Sequence, residues 1–221
     1  MTNMTNALKI DFVSDIVCPW CAIGLASLNT ALERIGPAAQ TEIAFHPFEL
    51  NPNLPAAGQS QLEHITEKYG ITADQARANR EQIRARAAAV GFTMNRDDAS
   101  LVYNTFDAHR LLAWAQERGA QAALKAALFT AYFTDGKNIA DRDVLADIAR
   151  QAGLDGMEAG AMLASDQFRQ QVREEEALWV QRGINSVPAI VVNDRYLISG
   201  GQPPEVFEQQ IRAILAGDVQ G

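Results

Sequence analysis

The first fifty residues change from an alternating to a helical spacing of apolar positions and then back. Residues 8–13 alternate apolar and polar side chains, which predicts a strand with one buried face. From Cys21 to Ile35 apolar residues recur at helical spacing, and Gly36-Pro37 is a stop signal for that helix. Residues 41–49 again favour a strand. This part of the chain therefore predicts a β-α-β unit.

Residues 59–182 carry helical periodicity almost throughout. Thr72-Ala-Asp-Gln75 has the spacing of a capping box. Asp141 and Ser165 each precede a segment with helical apolar spacing, as N-cap residues do. A further helix is predicted from Leu101 to Arg118. The middle of the chain is thus expected to be an all-helical block.

Strand character returns only near the carboxyl end of the chain. The apolar run at residues 188–192 predicts a strand that is covered on both faces. Asn193-Asp194 predicts a tight turn into a second strand at residues 196–199. Pro203-Pro204 then opens a closing amphipathic helix. The predicted order is β-α-β, helical block, β-β-α.

Composition narrows the classes of partner. The chain has 221 residues and a formal net charge of -8, which disfavours nucleic acids and anionic membranes as partners. No apolar stretch approaches the roughly 18 residues that a membrane span needs. The first residues lack the basic and apolar regions of a secretory signal, so we expect a cytoplasmic protein. A small molecule or another protein is the expected partner.

The candidate chemistry lies in the two cysteines, which form the sequence Cys18-Pro19-Trp20-Cys21 at the start of the first predicted helix. Unpaired N–H groups and the helix dipole favour an anion there, so we expect the Cys18 thiol to ionise more readily than a free one. A thiolate attacks a disulfide, and a second thiol then resolves the mixed disulfide. Cys18 is the expected nucleophile, and Cys21, on the buried stripe, is the expected resolving thiol. Trp20 is expected to be an exposed contact surface for substrate beside Pro19.

A zinc half-site is the structural alternative for two cysteines at this spacing. Such a site needs two further ligands, and the chain has no second cysteine pair. Its histidines, His46, His64 and His109, are far apart in sequence from one another and from the cysteines. We therefore predict no metal.

The order of elements around the cysteine pair resembles the thioredoxin arrangement. In that arrangement a cis-proline opens the third strand and lies against the Cys-x-x-Cys helix, and Pro188 occupies this position here. Val187 would then offer its backbone N–H and C=O to an extended substrate. The predicted fold class is α/β, a thioredoxin-like fold interrupted by a large all-helical insertion. Residues 7–58 and 184–221 would form the thioredoxin-like domain, with residues 59–183 packed on it as the insertion.

Four stretches of the chain carry recognisable motifs: Val13–Cys21, Phe45–Pro52, Asn104–Arg110 and Ser199–Pro203. Together they resemble the DsbA-like family of thiol-disulfide oxidoreductases, and more narrowly its FrnE-type branch. The resemblance implies Cys18 as nucleophile, Cys21 as resolving thiol and Pro188 in cis. Asn104 and His109 would line a substrate groove, although a hydrogen-bonded structural role is the alternative for His109. Some members carry a further cysteine pair, which this chain lacks.

The resulting hypothesis is a thiol-disulfide oxidoreductase that acts on disulfide-containing proteins or small thiols. No cofactor is predicted beyond the cysteine pair, and glutathione is a candidate co-substrate. A glutathione-dependent transferase or 2-hydroxychromene-2-carboxylate isomerase is one alternative, and a non-catalytic chain-binding holdase is another. A homodimer is compatible with the sequence, which does not determine the direction of the redox chemistry.

Overall fold

The computed structural model describes residues 8–55 and 57–218, without the side chain of Ala38. The predicted domain bounds at residues 7 and 221 therefore lie outside the described residues. The strands and helices follow one another as β1 (Leu8–Ser14), α1 (Pro19–Ile35), β2 (Thr41–Pro47), β3 (Gln59–Ser60), α2 (Gln61–Tyr69), α3 (Ala73–Ala89), β4 (Leu101–Val102), α4 (Phe106–Gln116), α5 (Gln121–Phe129), α6 (Arg142–Gln151), α7 (Gly156–Ala164), α8 (Arg169–Gln181), β5 (Ala189–Val192), β6 (Tyr196–Ser199) and α9 (Pro204–Ala216).

Four strands form the main sheet, in the order β2-β1-β5-β6. β1 runs parallel to β2 and antiparallel to β5, and β6 pairs with β5 at the edge. Phe12 in the middle of β1 pairs with Phe45 on one side and Ile190 on the other, and its side chain is buried. The predicted α/β fold of thioredoxin-like type is confirmed, since β-α-β and β-β-α halves join in one sheet.

Helix α1 begins and ends where the sequence predicts. Pro19 occupies its first turn, where the missing N–H of proline costs nothing, and Cys18 is the N-cap residue. The helix ends at Ile35, and Gly36 follows with φ of 70°, a conformation that glycine adopts without a Cβ penalty. Helix α1 packs on α9 as well as on the sheet. The sheet thus presents the first turn of α1 close to the carboxyl end of β1.

The segment predicted as wholly helical also contains a short two-stranded sheet, in which β3 pairs with β4. Leu101 was predicted to open a helix, but α4 begins at Phe106, whose N–H donates to the side chain of Asn104 just before the helix. The carbonyl of Leu101 is bound by the Arg96 guanidinium. The Tyr132 hydroxyl also donates to this carbonyl, and Leu101 pairs with Ser60 in the short sheet, so residue 101 is held outside the helix.

The N-cap predicted at Ser165 is also wrong. Its hydroxyl accepts the N–H of Gln167 and donates to the carbonyl of Met162, so it closes α7. Helix α8 begins at Arg169, after Phe168 with φ of 61°. By contrast, the capping box at Thr72 and the N-cap at Asp141 are both confirmed. Within the described residues no helix is long and apolar enough to cross a membrane.

Candidate active site

Both cysteines carry free thiols at the amino end of α1. The Cys21 N–H lies 3.1 Å from the carbonyl oxygen of Cys18, so the pair is closed into one helical turn. Cys18 is 4% exposed and Cys21 is 0% exposed. Burial, followed by the neighbouring Cys18 sulfur, raises the pKa of the Cys21 thiol well above its ordinary value. The Cys21 thiol therefore loses its proton less readily than a free thiol.

Pro188 packs against the helix that carries the cysteines. The Val187–Pro188 peptide bond is cis. The Cys18 thiol donates to the carbonyl of Val187, with 3.7 Å between Sγ and the oxygen. A β-carbon at Gly24 in α1 would lie 3.3 Å from Cγ of Pro188, which shows how closely helix and loop approach. The fold thus brings Cys18 and the residues around Pro188 together.

Asp15 and His109 form a buried pair behind the cysteines. Asp15 accepts the N–H of Leu50 at 2.7 Å, and its Oδ1 lies 3.4 Å from Nε2 of His109. Burial acts to raise the pKa of Asp15, but His109, the Leu50 N–H and Thr105 outweigh it and hold the pKa below its ordinary value. Asp15 is therefore a buried anion.

The side chains of Asn104 and His109, which the resemblance places along a substrate groove, make contacts within the protein. His109 is 2% exposed and contacts the carbonyl of Phe48. Asn104 donates from its side chain to Glu49 and to the carbonyl of Pro52, besides capping α4. Neither residue lines the cleft described next. Both fix the loop that follows β2.

A cleft of about 590 Å³ opens beside Cys18. One wall comes from the active-site turn, where Pro19, Trp20 and Val187 accompany Cys18, and Trp20 is 39% exposed. The opposite wall comes from α2 and α3, with apolar side chains at Leu62, Ile65, Tyr69 and Ile83. Its size is that of small-molecule sites, which are commonly about 300–1,000 Å³.

Among the described residues, cationic side chains line the cleft and carboxylates do not. Lys68, Arg80, Arg84 and Arg96 contribute to its wall, and no Asp or Glu is among the lining residues in the described part of the chain. Nε of Arg80 and of Arg96 and Oε1 of Gln61 are buried and lack hydrogen-bond partners among the described residues. The cleft thus offers apolar surface beside cations, of which Arg80 and Arg84 also pair with Asp98 and Glu81 outside the lining.

The helical periodicity of residues 59–182 does not predict this cationic wall, because it shows only that the arginines lie in a helix. Arg80 and Arg84 lie four residues apart and therefore share one face of α3. That spacing was the available signal, but nothing in the sequence says that this face meets Cys18.

Within residues 8–55 and 57–218, no cluster of three or more His, Cys, Asp or Glu has metal-binding geometry.

Gly201 gives a direct test of how tightly the active-site turn is packed. A β-carbon there would lie 2.7 Å from the backbone carbonyl oxygen of Trp20, so Gly201→Ala must displace the first turn of α1. We expect a loss of about 1–3 kcal/mol in the free energy of unfolding, together with reduced disulfide exchange. The control is Gly160→Ala, within α7, where the new β-carbon meets only Cβ of Ala146 at 3.9 Å. Urea denaturation of both variants measures the difference, and equal stability would contradict this packing.

Comparisons with known proteins agree with the fold. The family described as "DSBA-like thioredoxin domain" matches residues 9–212. A solved structure described as "probable DsbA oxidoreductase SCO1869" from Streptomyces coelicolor is 35% identical, with a TM-score of 0.89, and the match covers 97% of this chain and 92% of that chain. Similarity at this level extends over nearly the whole length of both proteins.

Two more distant relatives also match over nearly the whole chain. The protein YwbO of Bacillus subtilis (strain 168) is 26% identical over 209 residues, which are 94% of this chain and 96% of YwbO. The cytosolic disulfide reductase DsbM from Pseudomonas aeruginosa, solved with GSH, is 18% identical with a TM-score of 0.65, covering 94% of this chain and 99% of that chain. The likeness to DsbM is one of fold.

Proposed function

The chain belongs to the family of DSBA-like thioredoxin domains, and we propose that it is a thiol-disulfide oxidoreductase whose redox centre is the Cys18–Cys21 pair. The observation that carries the proposal is the position of Cys18. Its thiol lies at the amino end of α1, contacts the carbonyl of Val187, and borders the cleft. A thiol in this setting can react with a bound disulfide while the second thiol stays one helical turn away.

The proposed cycle has two exchanges. The Cys18 thiolate attacks one sulfur of the substrate disulfide, forming a mixed disulfide and releasing the first substrate thiolate. Cys21 then loses its proton and attacks Cys18 Sγ, which forms the Cys18–Cys21 disulfide and releases the second thiolate. Two electrons pass from the protein dithiol to the substrate, and the reverse sequence oxidises a substrate dithiol. Burial of Cys21 suits the resolving role, because external disulfides have no access to it.

The substrate proposal follows from the cleft. Lys68 and Arg96 line it besides the ion-paired Arg80 and Arg84, and no described lining residue is a carboxylate, so small anionic thiols such as glutathione are proposed as co-substrates. The backbone of Val187 is proposed to pair with the extended chain of a protein substrate. Pro19 and the exposed ring of Trp20 would contact either substrate beside the reacting sulfur.

Reduction of insulin by dithiothreitol and exchange with glutathione disulfide test the proposed activity. Wild-type protein is expected to accelerate both reactions, and chain binding without any acceleration would support a holdase. For a glutathione-dependent isomerase, conversion of an aromatic substrate would persist in Cys21→Ser. That result, without disulfide exchange in wild type, would contradict the proposal.

The direction of exchange in the cell is set by the reduction potential, which equilibration in glutathione buffers of known composition measures. The cytoplasmic compartment, the FrnE-type branch and a homodimer stay predictions. Fractionation of the native host tests the first, and sedimentation tests the last.

A further inference from the structure

Arg96 is a buried cation in the wall of the cleft. The residue is 5% exposed, and its guanidinium binds only neutral groups among the described residues: the carbonyls of Leu101 and Tyr132 and the Tyr132 hydroxyl. Burial raises the pKa of Tyr132 to about 12, so its hydroxyl supplies no negative charge near neutral pH. Because a guanidinium keeps its charge and buried charges are usually paired, Arg96 is a candidate partner for an anionic group of a ligand.

Contacts from three elements fix the position of this charge. From α3, Arg84 donates through Nε to the carbonyl of Met94 at 3.2 Å and through Nη2 to that of Arg96 at 2.6 Å. The terminal nitrogens of Arg96 bind Leu101 in β4 and Tyr132 after α5, and its Cζ lies 4.2 Å from the centroid of the Tyr132 ring. A charge that is already held in place needs little reorganisation when a ligand binds.

The surface around Arg96 in the cleft is apolar. Met94, Val102 and Phe133 line the cleft and are buried. Among the described lining residues, Arg96 is the one charged side chain that is buried. Since a charge in an apolar wall is weakly screened by water and salt, Arg96 should act on a bound anion more strongly than an exposed cation does.

Lys68 in α2 is a second cation of the cleft, and it is exposed. Its Nζ donates to the carbonyl of Leu50 at 3.1 Å and to Oδ1 of Asn51 at 2.7 Å, and within the described part of the chain it has no ion pair. The cleft, with a volume of about 590 Å³, therefore joins one buried and one exposed cation to the apolar surface beside Cys18.

We propose that the cleft selects disulfides in which a carboxylate is attached to an apolar, aryl-sized body, and that Arg96 is the specificity-determining counter-charge. The inference rests on the proposed function and narrows its substrate class. The apolar body packs against the inner wall, and the carboxylate lies in the field of Arg96 and Lys68. The Cys18 thiolate attacks one substrate sulfur, the bond between the two substrate sulfurs breaks, and one aryl thiolate leaves. Glutathione, a polar anion, would use the cations but not the apolar wall.

Binding of unreactive probes to the full-length reduced protein tests the site without any exchange. Calorimetry compares 2-naphthoate with 2-naphthamide, which lacks the charge, and with acetate, which lacks the apolar body. In wild type, naphthoate should bind at least roughly 10-fold more tightly than either. Arg96→Gln, which keeps a donor for the Leu101 carbonyl, should remove most of the difference between naphthoate and naphthamide, and Arg96→Lys should retain it.

The first exchange provides the kinetic test. Reduced protein is mixed with 5,5′-dithiobis(2-nitrobenzoate), which is anionic, or with 4,4′-dithiodipyridine, which is neutral, and release of the first aryl thiolate is followed by absorbance. Each rate constant is divided by that of N-acetylcysteine, because the two disulfides differ in intrinsic reactivity. The anionic-to-neutral ratio of wild type should exceed that of N-acetylcysteine roughly 10-fold and should fall towards it in Arg96→Gln.

Arg86→Met is the matched control, because it removes an exposed arginine of α3 that does not line the cleft. It should keep both wild-type preferences. Equal binding of naphthoate and naphthamide in wild type, or a wild-type ratio in Arg96→Gln, would overturn the proposal. If the Arg96 variants fail to fold, Lys68→Met decides, since it keeps every internal bond of Arg96, and an unchanged ratio there overturns the proposal. Selective binding of naphthoate without thiolate release from either disulfide would mean that the proposed function is wrong and the anion site is right.

Discussion

Replacing Cys18 by serine is expected to lower disulfide exchange by roughly 100-fold or more, to the uncatalysed rate, because a serine hydroxyl forms no disulfide and does not ionise near neutral pH. The replacement is nearly isosteric, and it leaves residue 18 as the N-cap of α1, a position that serine favours. The loss would therefore be chemical rather than structural. Insulin reduction and exchange with glutathione disulfide both measure it.

The matched control is Cys21→Ser, which removes the other sulfur from the same helical turn. It is expected to complete the first exchange and stop at the mixed disulfide, so turnover falls while Cys18 still reacts. Thermal unfolding should show both variants folded. If Cys18→Ser retained more than a small part of wild-type turnover, Cys18 would not be the nucleophile.

Arg110→Leu is expected to have the largest effect on stability, a loss of about 3–5 kcal/mol in the free energy of unfolding. The Arg110 side chain is fully buried in α4 and donates to Asp107 at 2.7 Å. Leucine would leave the backbone carbonyls that Arg110 binds without this donor, which is the costly half of breaking such a network, whereas Asp107 keeps its bond from Arg142. The other acceptors are the carbonyls of Met162, Leu163, Ser165 and Gln167.

Arg142→Leu supplies the control, because Arg142 pairs with the same Asp107 at 2.9 Å while its side chain is half exposed. An exposed pair of this kind contributes about 0–1 kcal/mol, so the control should stay close to wild type. Urea denaturation, fitted with one m value for both variants, compares their free energies of unfolding. Equal losses of stability at Arg110 and Arg142 would contradict the role of Arg110 as the buried donor to the carbonyls at the end of α7.

The parts of the fold that were predictable from sequence are those that local chemistry specifies. Pro19 opens α1 and Gly36 closes it, since the needs of a helix end are met by neighbouring residues. The Asn193-Asp194 turn was predictable for the same reason, and both residues have positive φ. The prediction for Leu101 was wrong because contacts distant in sequence, with Ser60 and Tyr132, decide its conformation, and that for Ser165 was wrong because of competing local bonds.

In the candidate site, too, some residues were predictable from the sequence and others were not. Cys18, Cys21 and Pro188 could be named from motif and chain order. The cationic wall at Arg80 could not, because it depends on how the helical segment packs against the sheet. Polar residues in family-like motifs, such as His109, proved to be buried rather than facing the cleft. Sequence spacing shows which residue types are near one another, but not which of them face solvent.

The measurement that tests the account most directly is the site of glutathione attachment after reaction with glutathione disulfide. Mass spectrometry of peptides should find glutathione on Cys18 in Cys21→Ser, an internal Cys18–Cys21 disulfide in wild type, and no comparable adduct on Cys21 in Cys18→Ser. Glutathione attached to Cys21 at the wild-type rate in Cys18→Ser, or a wild-type protein in which both thiols stay free, would contradict the account.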